Sequence, residues 1–173
     1  SVYDLKPAFQ GLLRPLVNRL AGAGATANQV TVAAVLLSCL AGVAILLNPS
    51  SPGILLLLPI VLFARMALNA MDGMLAREHG QQSRLGAVLN ELGDVLSDAA
   101  LYLPLASVDG FDAWLVVPIV LLAVVSEMTG VIIQTLGGSR RYDGPMGKSD
   151  RALAFGALGL LLVDTAVVVA VVL

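Results

Sequence analysis

Charge is scarce in this chain of 173 residues: Asp, Glu, Lys and Arg together make up 13% of it, about half the ~25% of an ordinary soluble domain. Cysteine occurs once, at Cys39 within an apolar run, so no internal disulfide and no cysteine-based metal site can form, and the thiol reads as small apolar packing. The single histidine, His79, follows Arg77 in a polar loop and is expected to be solvated. Basic excess is missing too. A formal net charge of −2 leaves no electrostatic footprint for nucleic acid, which is therefore not an expected partner. No internal repeat or low-complexity tract stands out, and no cleavable export signal is expected at the amino terminus.

What the chain has instead is apolar surface. Hydrophobic residues make up 58%, and the mean hydropathy is +0.90. That excess needs a non-aqueous neighbour. A spanning helix takes ~20 apolar residues, so the composition predicts an all-α integral membrane protein, one membrane domain over residues 1–173, with little left for a soluble domain.

Along the first 22 residues Val2, Leu5, Phe9, Leu12, Leu13, Leu16 and Leu20 recur at helical spacing opposite Lys6, Gln10, Arg14 and Asn18. This predicts an amphipathic helix lying in the membrane interface over 1–22, interrupted or bent by Pro7 and Pro15. A transmembrane bundle follows over 28–173, its first helix capped by Thr26 or Asn28. Spans are expected at 30–47, 54–76, 83–106 and 114–136, with Ser83 capping the third. Turn residues at 48–53 and Asp109-Gly110 separate them. From 152 to 173 the one charge is Asp164. Either a single helix buries it, or a fifth span ends near Val163 and part of a sixth follows; the second is preferred, because a mid-membrane aspartate costs ~3 kcal/mol. All basic residues other than Arg65 fall at the inner ends if the amino terminus faces the cytoplasm.

Polar residues inside spans are functional candidates, since partners, water or a ligand must offset their desolvation. In the second span Arg65, Asn69, Asp72, Gly73, Ala76 and Arg77 share one face; in the third, Gly86, Asn90, Asp94 and Asp98 recur every four residues. If those two ends meet, carboxylates, carboxamides and guanidiniums line one cavity. Hard oxygen donors select Mg²⁺, Mn²⁺ or Ca²⁺, and the small residues Gly73, Ala76 and Gly86 leave room for a ligand.

The run Asn69-Ala-Met-Asp72-Gly73-Met-Leu-Ala76-Arg77, eight residues, Gly86-Ala-Val-Leu-Asn90-Glu-Leu-Gly-Asp94 resembles the signature of the CDP-alcohol phosphotransferases. That signature reads Asp, two residues, Asp-Gly, two residues, Ala-Arg, about eight residues, Gly, three residues, Asp, three residues, Asp. The departures are Asn69 and Asn90, which stand where the first and third aspartates are expected. The resemblance covers most of the chain. It implies a bundle of six transmembrane helices, the sixth incomplete here, and a homodimer in the bacterial inner membrane with its site facing the cytoplasm. It also implies transfer of a phosphatidyl group from a CDP-alcohol such as CDP-diacylglycerol to an alcohol acceptor, with release of CMP and dependence on Mg²⁺ or Mn²⁺. On the matching positions, Asn69, Asp72, Asn90 and Asp94 are the implied metal ligands and Asp94 the implied catalytic base. Asn28, Thr31, Gly73, Ala76, Arg77, Ser83 and Gly86 are the implied contacts of the CDP-alcohol.

Bland uses stand beside these. Asn28, Thr31 and Ser83 are also natural helix caps, Arg77 a topology anchor, and Asp72 and Asp94 partners for Arg65 or Arg77. Arg140, Arg141 and Lys148 suit either a phosphorylated acceptor such as glycerol phosphate or inositol phosphate, or anionic membrane lipids. Glu127 and Gln134 share a face of the fourth span, for pairing with Arg65 or contact with the acceptor. Asp98 is expected to partner an arginine or hydroxyl; a frame shifted by one turn, using Asp94 and Asp98 as the last pair, puts Asn90 where glycine is expected. Two carboxylates fewer leave three options: one metal, two metals balanced by the substrate diphosphate, or a relative that binds a CDP-lipid or phospholipid without turnover. An ion carrier ranks last, because the outer half of every span is dry.

Overall fold

The computed structural model describes residues 2–137 and 153–163, and these are helical throughout apart from short turns. Arg140, Arg141, Lys148 and Asp164 lie outside the described residues. Helix α1 (Val2–Gly22) runs unbroken through Pro7 and Pro15, contrary to the expected interruption. It ends where Gly24 takes φ 80°, with Ala25 N–H bonded to Leu20 O (2.9 Å) and Gly24 N–H to Ala21 O (3.0 Å). Glycine is suited to this left-handed turn, which satisfies the last carbonyls of the helix.

Helix α2 (Ala27–Leu47) starts on a reciprocal cap: the Gln29 N–H donates to Thr26 Oγ1 (3.2 Å) and the Thr26 N–H to Gln29 Oε1 (2.9 Å). Thr26 is therefore the cap, while Asn28 and Thr31 lie within the helix and have their side chains available for other work. A 3-10 turn (Pro52–Leu56) leads into α3 (Leu57–Glu78). Helix α4 (Arg84–Tyr102) is capped by Ser83, whose Oγ accepts from Gly86 N–H at 2.9 Å. The expected third span stops being α-helical at Tyr102 and continues as a 3-10 turn (Leu103–Ser107), because Pro104 has no N–H to continue the ladder. Helix α5 (Ala113–Thr135) starts on Asp112, which accepts from Trp114 N–H at 2.9 Å. The last described helix, α6, is Leu153–Val163.

Among the described residues three helical segments are long and apolar enough to cross a membrane: Ala27–Leu47, Gly53–Glu78 and Ala113–Thr135. Helix α4 is not one of them, since its turns carry Asn90, Glu91, Asp94 and Asp98. Helix α2 is the spacer of the bundle, packed against both α3 and α4, with α1 laid on α3 and α5 on α4. A large apolar core around Ile45, Leu58, Leu101 and Leu105 holds one end, where Tyr102 stacks on Phe155 at 4.2 Å. A smaller cluster of Val17, Val30, Met74 and Leu75 seats α1 at the other. Leu40, Phe63, Leu122 and Trp114 point outward and exposed, which water disfavours and lipid accepts.

Candidate functional site

The polar residues of α3 and α4 converge between the ends nearest α1. Helix α3 offers Arg65, Asn69 and Asp72 on one face, and α4 offers Asn90, Asp94 and Asp98 on another; α2 holds the two helices apart while their side chains meet. Thr31 Oγ1 of α2 donates to Asp72 Oδ2 at 2.7 Å and also lies 3.1 Å from Ala27 O. That anchors a carboxylate only 4% exposed. Opposite it, Asn69 Nδ2 donates to Asp94 Oδ1 at 3.1 Å, joining α3 to α4. One turn deeper, Arg65 NH1 donates to Asp98 Oδ1 at 2.8 Å, and Arg65 NH2 stands 4.0 Å from Asp94 Oδ1. Arg65 is 3% exposed, and its Nε and NH2 make no hydrogen bond.

Asp94 is the more accessible carboxylate, with 20% of its side chain exposed. Asn90 lies one turn before it on α4, half-buried. The oxygens are hard donors throughout. Among the described residues no three His, Cys, Asp or Glu side chains are grouped to hold a metal. Asp72, Asp94 and the two carboxamide oxygens fit a hard divalent cation such as Mg²⁺ or Mn²⁺ whose remaining ligands come from water or a phosphate.

Toward the end of the bundle nearer α1, small residues make room. A β-carbon at Gly86 would fall 2.8 Å from Asn28 Oδ1 and 3.0 Å from Ser83 Oγ; one at Gly73 would fall 3.0 Å from Arg77 NH2. The structure thus gathers Asn28, Ser83 and Gly86 at one place and folds the exposed Arg77 guanidinium over Gly73, while half-buried Ala76 lies beside Arg77 on α3.

Gln81 was not expected to matter. Its Oε1 accepts from Ala27 N–H at 2.7 Å and its Nε2 donates to Ala25 O at 3.2 Å, tying the loop before α4 to the start of α2. A lone loop glutamine carries no sequence signal for this. The end of α3 is tied to α1 as well: Arg14 forks onto Glu78 at 2.9 and 3.1 Å, which raises the guanidinium pKa further. His79, expected to be solvated, is exposed but also meets Asn18 Oδ1 at 3.2 Å. Of the partners expected for Arg65, the fork is directed at Asp98 and Asp94; Glu127 lines a crevice of about 10 Å³ between α4 and α5 with Asp98 and Tyr102.

Membrane-length helices and a cluster of carboxylates and carboxamides on two of them define the class: an integral membrane protein with a polar centre inside its bundle. The chain belongs to the CDP-alcohol phosphatidyltransferase family, whose model matches residues 25–173. It is 53% identical over 160 residues, 92% of this chain and 79% of the relative, to the inner membrane protein YnbA of Escherichia coli (strain K12). It is 32% identical over 102 residues to the archaetidylinositol phosphate synthase of Pyrococcus horikoshii, covering 59% of this chain and 52% of that enzyme. The family consists of transferases that act on CDP-alcohols and generally depend on a divalent metal.

Proposed function

We propose that this protein transfers the phosphatidyl group of CDP-diacylglycerol to a hydroxyl of a small phosphorylated alcohol and releases CMP. The observation that carries this reading is the pair Asp72 and Asp94, borne on helices that α2 keeps apart and steadied by Thr31 and Asn69. A pair of anchored carboxylates on neighbouring helices, with the small residues Gly73 and Gly86 close by in sequence, suits a diphosphate that arrives with its counter-cation. Similarity to a synthase of an inositol phosphate lipid favours a phosphorylated polyol as acceptor, with Arg140, Arg141 and Lys148 as its contacts.

Asp72 and Asp94, with the carboxamide oxygens of Asn69 and Asn90, would hold the Mg²⁺ or Mn²⁺. Bound there, the ion supplies Lewis acidity toward the diphosphate. Asn28, Thr31, Ser83 and the small residues Gly73, Ala76 and Gly86 shape the nucleotide pocket, and the planar fork of Arg77 takes phosphate oxygens. Asp94 accepts the proton of the attacking hydroxyl; the acceptor oxygen bonds to the lipid-side phosphorus as the bond to the CMP oxygen breaks. The site faces the cytoplasm of a six-span homodimer in the bacterial inner membrane, with α1 in the interface. For α1 this fits its split apolar surface, Val17 packed inward and Leu12 exposed.

The test is CMP release from CDP-diacylglycerol by the purified protein with Mg²⁺ or Mn²⁺ across a panel of phosphorylated and free alcohols. Metal-dependent release that needs an acceptor supports the reading; tight binding of the CDP-lipid with no release across the panel replaces it with a lipid-binding role. The pocket is checked separately. Gly86→Ala places a methyl against Asn28 and Ser83, and should raise KM for CDP-diacylglycerol roughly tenfold, about 1.4 kcal/mol, with kcat changed much less.

A further inference from the structure

Arg65 is an anomaly within the notch. It is a buried guanidinium with one anchored nitrogen and two that make no hydrogen bond, and a buried unsatisfied donor costs about 1–3 kcal/mol. A nearby acceptor for NH2 is Asp94 Oδ1 at 4.0 Å, about 1 Å beyond hydrogen-bond range. The guanidinium stops short because NH1 is tethered at 2.8 Å to Asp98 and because Asn69 already occupies Asp94 Oδ1.

We propose that Asp98 is a positioning residue for the cation site: by holding Arg65 to itself, it keeps the guanidinium off Asp94 and leaves that carboxylate to the metal. The inference rests on the reading of Asp72 and Asp94 as cation ligands. Its physical basis is competition. A guanidinium in full contact with Asp94 neutralises the charge the cation needs, and it sets a like charge beside the cation in a medium of low dielectric, where such effects are large. At 4.0 Å, with NH1 held by Asp98, Arg65 bears less on Asp94 than a guanidinium in hydrogen-bond contact would. Asp98 thus acts on the cation without touching it.

Mn²⁺ binding to the full chain in detergent micelles, followed by calorimetry or by the electron spin resonance of free Mn²⁺, tests this without a turnover assay. Asp98→Asn is expected to weaken Mn²⁺ at least roughly tenfold, since the released Arg65 turns onto Asp94. The double variant Asp98→Asn with Arg65→Met removes the competitor and should bind Mn²⁺ at least as tightly as the wild type. A merely structural role for the Arg65–Asp98 pair predicts the reverse order, with the double variant no better than Asp98→Asn. Equal binding by wild type and Asp98→Asn overturns the inference and leaves the metal reading standing; absence of Mn²⁺ binding by the folded wild type overturns both. Should Asp98→Asn not fold, the double variant decides alone, and a roughly tenfold loss of affinity in it is the overturning result.

Discussion

Asp94→Asn is expected to lower CMP release from CDP-diacylglycerol by about 10²- to 10⁴-fold, the range that a positioned general base contributes. The helix bundle should survive. The carboxamide keeps an oxygen where Asn69 Nδ2 now donates, and the Arg65–Asp98 bond does not pass through residue 94. The substitution removes one negative charge from the notch, and with it the acceptor for the hydroxyl proton. Initial rates on matched micelles, together with a thermal melt of the same preparation, separate loss of chemistry from loss of fold. A folded variant retaining activity within a few-fold would remove Asp94 from the reaction.

The second large effect concerns the bundle itself. A β-carbon at Gly42 of α2 would collide with the backbone carbonyl of Ala100 on α4, and it would also come 3.4 Å from Pro104 Cγ. Overpacking typically costs about 1–3 kcal/mol, and a backbone obstacle cannot swing aside as a side chain does. The contact has a local cause: Pro104 has no N–H to offer the Ala100 carbonyl four residues earlier, so that oxygen faces the bare Cα of Gly42. In lipid, where apolar burial gives helices little drive to associate, such close approach is a main source of adhesion. Gly42→Val should therefore drive α2 and α4 apart, with loss of monodisperse protein on size exclusion and a melt lowered by many degrees. Gly11→Ala is the control: it meets nothing within 4 Å and should be neutral or slightly stabilising, as alanine is in an exposed helix.

These two residues differ in how visible they are from sequence. Asp94 belongs to a spacing pattern, and a carboxylate in an apolar context announces itself. Gly42 sits in an apolar helix with other small residues, and only the course of α4 singles it out. Local chemistry was legible in the same way: Thr26 and Ser83 cap the helices they precede because capping depends on neighbours three residues away. The expected third span was misjudged at its end, where Pro104 turns the chain into a 3-10 helix at Leu103. The face shared by Asn69 and Asp72 followed from helical period, and so did that of Asn90 and Asp94. That Asp98 pairs with an arginine was legible as well, and Arg65 is that arginine; the grip of Gln81 on Ala25 and Ala27 did not follow, because it depends on how segments distant in sequence are set side by side.

The spacer role of α2 separates what binds from what sets the width. Helices α3 and α4 meet through the side-chain bonds Asn69–Asp94 and Arg65–Asp98; the interval between them is set by α2 behind them, through such contacts as Val35 Cγ2, which would lie 3.1 Å from a β-carbon at Gly93. Oxygen distances to Mg²⁺ and to Ca²⁺ differ by only about 0.2–0.6 Å, less than the bulk of one methyl group. If the proposed cation role holds, trimming or enlarging position 35, a residue bearing no oxygen in its side chain, is expected to shift the preference between Mg²⁺ and Ca²⁺ in binding measurements, with every donor atom left unchanged.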